Sequence, residues 1–165
     1  MLNFPVEMPY DFEVVQAMWT LGRFPPGLLP DVAAEAMVAG FEGPAVLDVA
    51  SYHPPLLDGI DKAMDAALRE MGRPPMTRSR AAWLVARYLA RFVTAGKLNA
   101  YEWGKEMGSY WMDMSREMLE YQDVGLLYGL ADSYEDYPES RNKYLREMLE
   151  EARAFATRAE PSKSR

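Results

Sequence analysis

Apolar positions recur every three or four residues along most of this chain, and the clearest case lies between Thr77 and Glu106. Ala82, Val85, Leu89, Phe92 and Val93 mark one face of a helix. Thr77 supplies a capping hydroxyl at its start, and Gly96 ends it in the left-handed conformation that glycine tolerates. Asn99 then opens a second helix, with Glu102 three residues on as its capping-box partner. Trp83 and Leu84 flank the polar stripe of the first helix, so that helix is expected to lack a fully solvated face.

The same reading gives the other elements. Residues 1–10, with Phe4, Met8 and Tyr10 among prolines, form an extended arm lying on the core or on a neighbouring subunit. Asp11 caps a helix reaching Leu21, and Gly22–Gly27 is a loop because its consecutive prolines cannot continue a helix. Further helices are expected at about 30–39, 44–51, 55–71, 77–95, 100–120 and 124–134, with a last one opened by Pro138. On that last helix Leu145, Met148, Leu149, Ala152 and Ala156 share a face. No segment alternates as a half-buried strand does. The expectation is an all-α fold: one domain over residues 1–159, an irregular bundle of about seven helices of unequal length without a β-sheet, and a disordered tail at 160–165.

Composition narrows the function classes. The chain has 165 residues, enough for one sizeable core. It has no cysteine, which excludes disulfides, thiolate metal sites and a cysteine nucleophile, and which suits a reducing cytoplasm. Residues 1–10 lack the basic and apolar regions of a signal peptide, and no apolar run is long enough to span a membrane. The net charge of −7 opposes phosphate binding and so argues against a nucleic-acid partner, while it suits a basic protein partner. Twelve methionines and ten tyrosines fill a large core or, on the sharper reading, form a contact surface that also suits a homodimer.

Three arginines are the first candidate site. At about 100° per residue, Arg80, Arg87 and Arg91 fall within roughly 40° of one another, with Trp83 beside them. One account makes them an anion site for a phosphate or carboxylate ligand. The other neutralises them with carboxylates elsewhere in the fold, such as Glu135 and Asp136, and an acidic chain favours it.

The second candidate is acidic. Asp132, Glu135, Asp136 and Glu139 cluster at the start of the final helix, where carboxylates complement the macrodipole; they could also dock a basic partner. His53 is the sole histidine and stands before two prolines, with only Ser51 nearby, so a structural role is expected over a catalytic one. One histidine and no cysteine leave no tetrahedral zinc set, and no metal or cofactor is expected. Glu102 and Glu106 lie one turn apart, but capping and solvation account for them. Gly104 and Gly108 suit the close approach of another helix, with Trp103, Tyr110 and Trp111 around them. No phosphate loop, dinucleotide fingerprint or nucleophile elbow occurs.

Two segments, Ala82–Leu89 continuing through Gly96–Gly104, and Leu126–Glu135 followed by Asp136, Pro138 and Arg141, resemble a group of small bacterial helical proteins with no assigned activity. The resemblance covers roughly residues 25–156; it implies an all-α bacterial cytoplasmic protein and nothing about mechanism. The functional expectation is a non-enzymatic protein-interaction or regulatory domain, one form of which is an inhibitor or immunity-type protein neutralising a basic toxin. The alternative is a binding protein or enzyme for a small anionic ligand, using Arg80, Arg87, Arg91 and Trp83. A helix-turn-helix at 77–109 is disfavoured, because its second helix offers only Lys105 against Glu102 and Glu106.

Overall fold

The computed structural model describes residues 2–53, 58–114 and 120–161. The fold is all-α: among these residues there are eight α-helices, two 3-10 turns and no strand. The contacts divide the chain into two compact units, residues 6–76 and residues 1–5 with 77–165.

The unit of residues 6–76 holds α1 (Phe12–Thr20), a 3-10 turn (Pro26–Leu28), α2 (Leu29–Val38), α3 (Pro44–Ala50) and α4 (Ile60–Glu70). Asp11 caps α1 as expected, its carboxylate accepting from the N–H groups of Glu13 and Val14 at 2.9 and 3.3 Å. Helix α3 packs between α2 and α4, burying Val46 and Val49. It has no side-chain cap of its own. Instead the Glu70 carboxylate, at the far end of α4, accepts from Ala45 N–H at 3.1 Å and Val46 N–H at 3.0 Å. A negative group at a helix N-terminus is where the macrodipole favours it. Helix α4 starts at Ile60, directly after Gly59 at φ 84°, a left-handed conformation that interrupts a helix. The start expected at Pro55, with Leu56, lies outside the described residues.

The second unit holds α5 (Arg78–Thr94), α6 (Ala100–Asp113), α7 (Gln122–Asp136), a 3-10 turn (Pro138–Ser140) and α8 (Arg141–Thr157). Thr77 Oγ1 caps α5 through Arg80 N–H, and Gly96 ends it at φ 71°. Asn99 Oδ1 caps α6 through the N–H groups of Tyr101 and Glu102; among the described residues Glu102 returns no bond to Asn99. Eleven of the seventeen α5 residues are buried, so the helix has no fully solvated face. Helix α6 stops short of Glu120 because Met114 leaves the helical region at φ −125° and ψ 23°; residues 115–119 lie outside the described residues. Helix α7 is longer at both ends than the apolar spacing indicates, since that spacing marks only the buried positions. Pro138 opens a 3-10 turn, and α8 begins three residues later.

The core of this unit is aromatic. Phe155 lies 5.8 Å from the Trp83 ring and 6.0 Å, edge-on, from Trp103, and all three are fully buried. Burial would strand both indole N–H groups, and each has a partner: Trp103 donates to Ala86 O at 3.1 Å, and Trp83 to Asp123 Oδ2 at 2.9 Å. Gly104 and Gly108 serve close packing, as their spacing suggests. A Cβ on Gly104 would lie 2.9 Å from Met148 Sδ, and one on Gly108 only 2.7 Å from the Tyr128 backbone. The arm's first residues also belong here: Phe4 is buried, and Leu2 N–H donates to Glu106 at 3.3 Å.

Candidate functional site

The arginine ridge of α5 does not converge on one hollow. Arg80 is neutralised from within its unit: Nε and Nη2 donate to the two oxygens of Glu160 at 2.7 and 3.1 Å. The partner is therefore neither Glu135 nor Asp136. It is a residue assigned from the sequence to a disordered tail; residues 162–165 of that tail lie outside the described residues. Tyr121 Oη donates to the same carboxylate at 3.3 Å. Burial, then the charge of Glu160, push the Tyr121 phenol up to about 12. Arg87 lies over the Trp83 ring at 5.8 Å, and among the described residues its buried Nε has no hydrogen-bond partner. Arg91 is exposed. Trp83 is fully buried and tied to Asp123, which removes it as a ligand-facing ring.

Asp123 also takes Arg158 Nη1 at 3.2 Å, while Arg158 Nη2 reaches Glu151 at 2.7 Å. Burial works against the Arg158 charge, but these two carboxylates outweigh it and raise its pKa. The polar groups on this side of the unit thus serve to fasten α5, α7 and α8 together.

The acidic cluster is placed differently from the sequence expectation. Asp132, Glu135, Asp136 and Glu139 are all exposed. Because α7 runs on to Asp136, the first three occupy its C-terminal end, and only Glu139 precedes α8. The macrodipole disfavours negative charge at a helix C-terminus, so complementing it explains Glu139 alone.

Glu135 has local partners. Lys105 Nζ donates to Oε1 at 2.6 Å, and Tyr101 Oη donates to the same oxygen. The Lys105 hydrogen bond, then that of Tyr101, hold the Glu135 carboxyl below its ordinary value, and Glu135 in turn raises the Lys105 pKa. Tyr101 is further fixed by stacking on Tyr134, ring centres 4.4 Å apart.

Beside this triad runs a groove between α6 and α7 of about 270 Å³. Met112, Tyr128 and Ala131 give it an apolar floor, and Asp113, Asp132 and Glu135 stand along it. Met112 is 54% exposed. Contact at Gly108 and Tyr128 draws the two backbones together beside it. The acidic run alone pointed toward this face. Its apolar half was hidden, because Met112 and Tyr128 occupy ordinary helical core spacing in the sequence.

Among the described residues no three His, Asp or Glu side chains are gathered to hold a metal ion, and no helix is long and apolar enough to cross a membrane. The chain matches no protein-family model, no curated protein and no solved structure.

Proposed function

We propose that this chain is a non-enzymatic interaction domain that docks a basic, amphipathic segment of another protein on its α6–α7 face. The observation that carries the reading is the position of Asp132, Glu135 and Asp136. They crowd the helix end where negative charge is least favoured, next to an apolar groove with an exposed methionine. Lys105, the cation of the groove, is already engaged by Glu135, so the rim stays negative. A cationic partner helix would set its apolar face over Met112 and Tyr128 and its positive side chains over the acidic rim. A basic effector protein held inactive by this domain is the specific form the charge suggests.

The test is fluorescence anisotropy with a labelled amphipathic leucine–lysine helix, and its leucine–glutamate counterpart as control. The expected result is saturable binding of the basic helix alone, weakened by added salt and about tenfold weaker in Met112→Glu and in Asp132→Lys. Both positions are exposed, so neither change threatens folding. Equal binding by wild type and both variants, or none, would overturn the proposal. So would light scattering showing a stable dimer abolished by Met112→Glu, since a second copy would then fill the groove.

A further inference from the structure

A separate cavity lies wholly within the unit of residues 6–76, between α1 and the end of α4. Its volume is about 390 Å³, within the range of small-molecule sites. Two arginines line it, Arg69 in the last turn of α4 and Arg73 just beyond it. The chain turns sharply between them, with Gly72 at φ 70°, and this brings both to one opening. Among the described residues neither is within ion-pair distance of a carboxylate, in a chain carrying 25 acidic residues.

The remaining walls are built for a flat, apolar body. Trp19 forms one side, and Leu68, Pro75 and Met76 complete the apolar lining. The carboxylate in the lining, Asp65, accepts from Trp19 Nε1 at 3.3 Å, which orients the indole. Gln16 is buried, 5% exposed, and donates through Nε2 to Pro74 O at 2.7 Å. That bond holds the amide in place at the wall of the cavity.

Arg69 also stands where a helix dipole welcomes a cation, and that accounts for its charge at the end of α4. It does not account for Arg73, which lies past the helix, nor for the Trp19 wall.

We propose that this cavity binds a small anion carrying a flat apolar body, an aromatic carboxylate or phosphate ester, with Arg69 and Arg73 on the oxyanion and Trp19 against the ring. The site shares no residue with the α6–α7 groove.

The test follows the indole N–H resonances of the full chain by NMR, with the Trp19 signal assigned through Trp19→Phe. Phenyl phosphate and benzoate are the probes, and benzyl alcohol is the uncharged control. The expected result is a saturable shift of the Trp19 signal with at least one anion, weakened about tenfold or more by Arg69→Gln and by Arg73→Gln, and unaffected by Arg91→Gln. The stronger probe identifies the oxyanion. A shift equal for benzyl alcohol, a shift undiminished in the double variant Arg69→Gln/Arg73→Gln, or no shift with either anion would each overturn it.

Discussion

Gly108 and Tyr128 meet backbone to backbone: a β-carbon on the glycine would sit 2.7 Å from Tyr128 Cα and 3.1 Å from its nitrogen. This contact helps set the separation of α6 and α7. No side-chain rotation relieves it, because the atoms in the way are main chain.

Gly108→Ala should therefore force the helices apart and destabilise the protein by about 1–3 kcal/mol, as overpacking does. Gly129 is the matched control: it lies in α7 with nothing within 4 Å of its β-position. Gly129→Ala should stabilise by about 0.5–1 kcal/mol, through helix propensity. Urea denaturation of both variants decides the matter, and equal effects would remove the packing argument.

Arg80 and Glu160 form a two-bond pair with each side chain about 30% exposed. Water screens part of the attraction, so Arg80→Ala and Glu160→Ala should each cost roughly 1–2 kcal/mol, less than a fully buried pair. The double variant should lose clearly less than the sum of the two, because the first change already removes the interaction. Strict additivity in chemical denaturation would show that the pair contributes nothing.

Tyr121 gives a pH signature. Its folded-state pKa is raised to about 12 from an ordinary 10.0. The phenol is neutral when protonated, so the folded protein keeps a proton that the unfolded chain releases first. Its contribution is complete below the unfolded value and is lost as pH rises from about 10 toward 12. Thermal melts across this window should fall more steeply for wild type than for Tyr121→Phe. Parallel curves would refute the assignment.

Glu70 caps α3 from another helix, so Glu70→Ala should cost about 1 kcal/mol, as loss of an N-cap does. A β-carbon on Gly43 would lie 2.2 Å from Glu70 Oε2 and push that carboxylate off its two N–H groups. Gly43→Ala should thus resemble Glu70→Ala, and adding it to Glu70→Ala should do little more. Thermal denaturation of the two single variants and the double variant checks both statements.

The helices were legible where a local signal marks both their face and their ends. Asp11, Thr77 and Asn99 cap as their chemistry indicates, and the Gly104–Gly108 spacing marked a close helix contact. Ends lacking such a signal shifted: α7 outran its apolar stripe. Side-chain partners were mostly illegible, because Glu160 lies eighty positions from Arg80 and nothing periodic connects them. Phe155 escaped the expected face of α8, whose buried residues are Met148, Ala152 and Phe155. Arg69 and Arg73 escaped for a related reason. They straddle a helix end, where the 100° rule no longer says which residues are neighbours.

The capping of α3 by Glu70 bears on how the chain acquires its structure during synthesis. Seven residues are too few for a helix to persist alone in water. When Ala50 leaves the ribosome, the carboxylate that will satisfy Ala45 and Val46 has not yet emerged, and water must serve in its place. This segment thus gains its full hydrogen bonding only after twenty more residues have followed it, from Ala50 to Glu70, so the two helices consolidate as a pair and not in sequence.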